Sequence, residues 1–208
     1  MDVQFYGANC IVFSNKELRL VVDDNLAQLG AKSVTKPDDV VLFTGPHDEK
    51  PVARMLIDIP GEYEIGNVSI QGIPARAHMD EAGTLHGTMY KLTVGELVYL
   101  VTGHIYPELS DEQLEAIGMV DVMFTPVGGN GFTLDPVGAQ KVIRAVEPKV
   151  VVPTHYEDTK LQFEVPQQPL ENAIKEMSLE PKERVEKLRL KAADLSDITQ
   201  LIVLEKVA

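Results

Sequence analysis

Three stretches of this chain run an apolar segment directly into a polar loop, and this pattern constrains the fold most strongly. In the first stretch, Val40–Phe43 meets a Thr-Gly-Pro stop, and the polar residues His47 to Lys50 follow at once. Four apolar residues without alternation are typical of a strand that is buried on both faces. Because ligands gather at the carboxyl ends of such strands, this polar loop lies where chemistry is expected.

The same design recurs twice further along the chain. Val120–Asn130 runs an apolar strand into a glycine-rich loop, and Lys149–Asp158 ends its strand at a proline and then presents His155. If the three strands lie side by side in one direction, their polar loops converge at one rim. We predict that this rim is marked by the strand ends at Thr44, Thr125 and Pro153, with the imidazoles of His47 and His155 within about 10 Å of each other.

Short strands and three helices fill the rest of the pattern. A capping box of Ser110 and Gln113 starts one helix, Asp135 caps a second, and Leu170–Met177 presents one apolar face as a third. Apolar runs bounded by turn residues predict strands at Val3–Phe5, Ile11–Phe13, Leu18–Val22, Met55–Ile59, Tyr63–Ile65, Val68–Ile73, Met89–Val94, Leu97–Val101 and Leu201–Leu204.

The order of these elements indicates one domain over residues 1–208. A meander, a polar corner, a linking segment, a buried strand and a polar loop occur in residues 1–85, and a similar order recurs in residues 86–208. This weak repeat predicts two similar halves that pack sheet to sheet.

The charge balance bears on the partners. Nineteen basic and thirty-two acidic side chains give a net charge of −13, and such a field repels phosphate backbones, so nucleic acid is not an expected partner. The densest basic stretch, Lys182–Lys191, is interleaved with glutamates, a pattern more typical of a solvated helix face. A small-molecule substrate is the expected ligand, and a homo-oligomer remains open.

Other features bear on the cellular compartment. No apolar run approaches the ~18 residues of a membrane span, and the first residues do not form a basic region followed by an apolar one, as a signal peptide would. Cys10 is the single cysteine, so no internal disulfide forms. These features predict a cytoplasmic protein without a membrane partner.

Several motifs, taken together and in order, resemble the metallo-β-lactamase superfamily. The chain is most similar to the branch of small metal-dependent hydrolases related to the ascorbate-6-phosphate lactonases. The resemblance implies an α/β fold, an αββα sandwich of two mixed sheets flanked by helices. The motifs are G-A-N-C-I-V-F, the D-D corner, V-V-L-F-T-G-P-H-D-E, I-P-G-E-Y-E-I-G, L-S-D-E-Q-L, V-D-V-M-F-T-P-V-G-G, T-L-D-P and V-V-P-T-H-Y.

The metal motif departs from the family pattern. The leading family motif is T-H-x-H-x-D-H, and only its second histidine is kept here, as His47. Gly45 stands at the first histidine position, Glu49 at the aspartate and Lys50 at the last histidine, while Ala8 replaces another family histidine. A two-metal site is therefore not expected, because the ammonium of Lys50 would stand where the second cation needs a ligand.

The resemblance still implies a reduced metal site. The family histidine of the irregular segment matches His78, the bridging aspartate corresponds to His104 and the last ligand to His155, so that His47, His78, His104 and His155 are the expected ligands. Imidazoles suit zinc, so one divalent metal, zinc first, or no metal at all is expected. Lys50 would act as an electrophilic catalytic residue, with Glu49 beside it.

Two functions follow and remain open at this point. The first is a metal-dependent hydrolase with a single-metal site that opens a lactone, ester or phosphoester. The second is a catalytically inactive relative that keeps the fold as a binding or assembly scaffold. A nucleic-acid-processing role is disfavoured by the net charge of −13.

Overall fold

A five-stranded sheet begins the fold. The computed structural model describes residues 1–47 and 50–207. The first three strands pair antiparallel, whereas the third, fourth and fifth pair parallel. The strands lie in chain order and are β1 (Asp2–Gly7), β2 (Cys10–Ser14), β3 (Arg19–Val22), β4 (Val40–Leu42) and β5 (Met55–Ile57).

An eight-stranded sheet packs against the first. Its order is β12-β13-β11-β10-β9-β8-β7-β6, with antiparallel pairing from β6 to β9 and parallel pairing from β9 to β12. The strands are β6 (Gly61–Ile65), β7 (Val68–Ala75), β8 (Gly87–Val94), β9 (Leu97–Val101), β10 (Val122–Pro126), β11 (Val150–Thr154), β12 (Pro181–Val185) and β13 (Gln200–Leu204).

Three helices cover the outer face of the second sheet. They are α1 (Asp111–Ile117), α2 (Pro136–Val146) and α3 (Leu170–Met177), and a short 3-10 helix spans Ala192–Asp194. The predicted capping box of Ser110 is present, and the side chain of Asp135 caps α2 by accepting from the N–H of Gly138. In the described residues, none of these helices has the length and apolar character that crossing a bilayer requires.

Apolar side chains form three layers of core. One cluster lies between the sheets, where Phe13 packs edge-on against Tyr99 and Phe124. A second cluster joins the larger sheet to its helices. On the outer face of the smaller sheet, irregular chain around Leu26 and Leu161 forms the cover. The predicted fold, a sandwich of two mixed sheets with flanking helices, is confirmed.

Two details differ from the sequence predictions. The stretch Lys182–Lys191, predicted as a solvated helix face, instead contributes to the edge strand β12, because pairing with β13 satisfies its backbone while its charges stay exposed. The chain also passes from one sheet to the other between Ile57 and Gly61, which is earlier than the predicted boundary near residue 85. The relation between two halves therefore stays a prediction.

Candidate functional site

The carboxyl ends of strands from both sheets meet at one rim, although β4 lies in the smaller sheet and is not a neighbour of β10 and β11, as the sequence prediction had supposed. Gly103, which follows β9, lies so close to Thr44 that an added Cβ would stand 2.2 Å from its Oγ1. The hydroxyl groups of Thr102 and Thr125 lie 3.2 Å apart, and Thr125 pairs in register with Pro153. This rim brings loops that are distant in sequence to one place.

Three of the predicted histidines lie together at the rim. The rings of His104 and His155 contact each other edge to face, with their centroids 4.4 Å apart. The backbone N–H of His78 donates to the carbonyl of His104 at 2.7 Å. The structure therefore brings these three residues together, and their role as metal ligands stays a prediction.

The protonation pattern of His155 is defined by Gln167. The ring Nδ1 of His155 lies 3.2 Å from Oε1 of Gln167, and the amide nitrogen of Gln167 donates to the carbonyl of Val165, which orients this side chain. Because Oε1 can only accept, Nδ1 of His155 carries the proton and Nε2 keeps its lone pair. His155 adopts φ 50°, an uncommon left-handed conformation, and its N–H donates to the carbonyl of Ala8.

His104 receives a hydrogen bond from a buried asparagine. The amide nitrogen of Asn9 lies 2.9 Å from Nε2 of His104, and the hydroxyl of Thr154 donates to Oδ1 of Asn9 at 2.8 Å. An amide nitrogen only donates, so Nε2 of His104 accepts and the proton resides on Nδ1. That Nδ1 is buried and has no hydrogen-bond partner among the residues the structure describes.

His78 shows the same tautomer. Its Nδ1 lies 3.2 Å from the carbonyl oxygen of Ile105, which can only accept, so Nε2 is unprotonated in the neutral ring. The ring of Tyr106 stands 6.4 Å from that of His78, and the guanidinium of Arg76 lies over Tyr106 at 3.7 Å from its centroid. Metal-binding histidines characteristically donate their second ring N–H to such a fixed acceptor.

Burial keeps two of these rings neutral at physiological pH. Burial lowers the pKa of His155 from 6.5 to about 4, against the opposing effect of Gln167. Burial also lowers the pKa of His104 well below its usual value, and the nearby His155 and His78 add to the shift. Neutral imidazoles are the form that binds a metal ion.

The aspartate of the polar corner, Asp23, lies under the same rim. Its carboxyl group is buried and accepts from the N–H and the hydroxyl of Thr44 at 2.7 and 2.6 Å. Burial raises the pKa of Asp23 to about 6, although the two bonds from Thr44 lower it. Asp23 therefore ties the end of β3 to the end of β4.

His47 and Lys50 line a cavity of about 460 Å³, and its lining does not include His78, His104 or His155. His47 stacks on Phe43, with ring centroids 4.1 Å apart, and its Nε2 lies 3.2 Å from a carboxylate oxygen of Asp58. Lys50 is exposed and lines the same cavity, whereas Glu49 lies outside the described residues. The role of His47 as a ligand, and its distance from His155, stay predictions.

The three histidines have the right chemistry to bind a metal ion, but the described residues do not arrange three ligands around one point. His78, His104 and His155 present tautomers with an unprotonated Nε2, and the unpartnered Nδ1 of His104 leaves a buried polar atom unsatisfied. Within residues 1–47 and 50–207, however, no three histidine, cysteine, aspartate or glutamate side chains are arranged to hold one ion. A catalytic zinc ion takes three protein ligands, so binding would have to draw these side chains closer together.

Sequence reasoning did not identify the residues that orient the histidines. Asn9 stood within the quoted motif G-A-N-C-I-V-F, but its bond to His104 spans 95 positions. Gln167 and Asp58 come from loops in which a polar residue is ordinary, so no local pattern distinguished them.

Comparison with known proteins agrees with the architecture. A family model described as a beta-lactamase superfamily domain matches residues 2–155. A UPF0173 metal-dependent hydrolase of Anaeromyxobacter dehalogenans is 31% identical over 140 residues, covering 61% of this chain and 50% of that protein. The chain thus spans about half the length of the curated relatives it matches.

Solved structures with the same fold cover nearly the whole chain. A protein of Thermotoga maritima, assigned as a zinc-dependent hydrolase of the metallo-beta-lactamase superfamily, superposes with a TM-score of 0.74 at 22% identity, covering 99% of each chain. A metallo hydrolase of Ignicoccus hospitalis gives a TM-score of 0.62 at 16% identity, covering 98% of this chain and 94% of its own. Because the family model matches well over half of its residues, the chain belongs to the metallo-β-lactamase superfamily.

Proposed function

We propose that the protein is a metal-dependent hydrolase with a reduced site for a single divalent ion, zinc first, that opens a lactone, ester or phosphoester. The observation that carries the proposal is the matched tautomer of three clustered histidines, His78, His104 and His155, each with an unprotonated Nε2. Relatives named metal-dependent hydrolases support the class of reaction.

Each residue of the site has a distinct role in this proposal. His78, His104 and His155 would hold the ion, and the chemistry it supplies is Lewis acidity together with a lowered pKa of water. Gln167 orients His155 through the bond to Nδ1 described above, which leaves Nε2 for the ion. The ammonium of Lys50, at the cavity wall, would stabilise negative charge on a substrate oxygen.

A second candidate function, a metal-free binding scaffold, is favoured by one observation. Nε2 of His104 already accepts from the amide of Asn9, so a metal must displace this bond or bind elsewhere. Together with the missing three-ligand arrangement among the described residues, this bond would suit a fold that is kept without its chemistry.

Melting curves with zinc and with chelator separate the two functions. At about 100 times its dissociation constant, a ligand adds about 2.7 kcal/mol to the folded state, which is roughly 5–10 °C for a chain of this size. We expect that shift for the wild type and for His86→Gln, whose histidine is exposed, and its loss in His155→Gln. Equal melting temperatures in zinc and chelator for the wild type would decide for the scaffold.

A further inference from the structure

The strand β5 leaves one edge of the smaller sheet open. It lies last in the order β1-β2-β3-β4-β5 and pairs only with β4 among the described strands. The N–H groups of Arg54 and Met55 both donate to the carbonyl of Asp39, and Ile57 accepts from Phe43. Within β5, Met55 and Ile57 therefore direct their backbone groups toward β4. Since these directions alternate along a strand, the N–H and C=O of Leu56 point outward.

The residues around Leu56 are complementary to a second copy of themselves. In an antiparallel pair centred on Leu56, each Leu56 faces the other, and Arg54 faces Asp58 in both directions. Arg54 and Asp58 are both exposed, although one carboxylate oxygen of Asp58 also lies 3.2 Å from Nε2 of His47. Opposite charges across neighbouring strands stabilise a pair, whereas like charges destabilise it. The outward groups of Leu56 would form the central hydrogen-bonded pair.

The remaining sheet edges lack this complementarity. A self-pair of β6 centred on Tyr63 would place Glu62 against Glu64, and a self-pair of β12 centred on Glu183 would place Lys182 against Arg184. Like charges therefore oppose self-pairing at both edges of the larger sheet.

The fourth edge, β1, is already covered by the chain itself. Val3 exchanges two backbone hydrogen bonds with Leu188, and Phe5 forms a bridge with Lys206. Of the four edges in the described part of the chain, β5 alone is both open and self-complementary.

Apolar side chains flank the open edge. Val52 is 79% exposed and Ile59 is 62% exposed, one on either side of β5, and Met55 within it is 42% exposed. An edge strand with exposed apolar neighbours promotes association unless charges or bulges block it. Here the charges of Arg54 and Asp58, which flank β5, favour pairing with a second copy.

We propose that the protein self-associates as a two-fold symmetric dimer through antiparallel pairing of β5 with the β5 of a second copy. The interface is isologous, so each contact between Arg54 and Asp58 occurs twice. Its short strands make it a weak dimer, with a dissociation constant between about 1 μM and 1 mM. The proposal does not depend on the proposed hydrolase activity.

Reversing the charge of Arg54 or of Asp58 directly tests whether these two residues face each other in the dimer. Arg54→Asp would oppose two aspartates across the interface, and Asp58→Arg would oppose two arginines. In sedimentation velocity over a range of concentrations, each variant alone should associate at least about tenfold more weakly than the wild type. An equimolar mixture restores both opposite-charge contacts, so it should regain wild-type association.

A charge reversal on α2 serves as the control, and three results would overturn the proposal. Lys141→Asp makes the same change of charge on an exposed position of α2 and should associate as the wild type does. Circular dichroism and melting of each variant establish that it is folded. A wild type that stays monomeric at every concentration would overturn the proposal, as would association that Arg54→Asp leaves unchanged or variants whose mixture fails to associate.

Discussion

The buried carboxyl group of Asp23 makes stability depend on pH in a way that one substitution isolates. The residue is 3% exposed, and burial raises its pKa from 3.8 to about 6. Between these values, the folded chain retains a proton that the unfolded chain has released. The contribution of Asp23 to stability is therefore fully present below about pH 3.8 and is lost as the pH rises through about 6.

The magnitude follows from the two pKa values. The gap between 3.8 and about 6 corresponds to about 3 kcal/mol, of which about 2–3 kcal/mol is lost between about pH 4 and pH 7. His155 acts with the opposite sign, because its pKa falls from 6.5 to about 4, so the unfolded chain binds the extra proton and stability rises with pH. Burial also lowers the pKa of His104, so the wild-type curve is flattened by groups that act in opposite directions.

Asp23→Asn removes one of these groups with little change of shape. Its amide oxygen can accept from the N–H of Thr44, its amide nitrogen can donate to the hydroxyl of Thr44, and asparagine tolerates the φ of 51° at this position. In urea unfolding at pH 4 and pH 7, the variant should gain about 2–3 kcal/mol relative to the wild type as the pH rises. A difference that stays constant between the two pH values would refute the reasoning.

Three further predictions address the loops around the histidines and the surface charge. Gly128→Ala should lower the free energy of unfolding by at least about 2 kcal/mol, because the new Cβ would stand 2.0 Å from the carbonyl oxygen of His155. The control, Gly45→Ala, meets nothing within 4 Å, so in the same urea titration it should change the free energy of unfolding by less than about 0.5 kcal/mol. Thr154→Val should cost about 1–2 kcal/mol by leaving Oδ1 of Asn9 without its donor, and a neutral result in thermal unfolding would contradict that bond. Neither DNA nor RNA columns should retain the protein at physiological salt, given its net charge of −13, and tight, salt-sensitive retention would show that prediction to be wrong.

Much of the fold was predictable because its elements carry local information. The capping box at Ser110 and the N-cap at Asp135 predicted where two helices begin, and uninterrupted apolar runs predicted the buried strands. The edge strand β12 was not predictable, because alternating charges fit an exposed strand as well as an exposed helix, and only pairing with β13 decides between them.

The site was predictable in position more than in detail. The strand ends predicted a polar rim, and the structure places His78, His104 and His155 in contact there. The tautomers depend on Asn9 and Gln167, whose partners come together only through the packing of both sheets. No local sequence pattern indicates such contacts, so Asn9 and Gln167 were identified only from the structure.

Metal content tests the central claim most directly. The protein should be purified without chelator and without a metal-binding tag, dialysed against metal-free buffer and then against one divalent metal at a time, and analysed by elemental mass spectrometry. A reduced site predicts about one zinc ion per chain at pH 7.5. Two ions per chain would contradict the single-metal site, and none at saturating zinc would contradict the proposed hydrolase altogether.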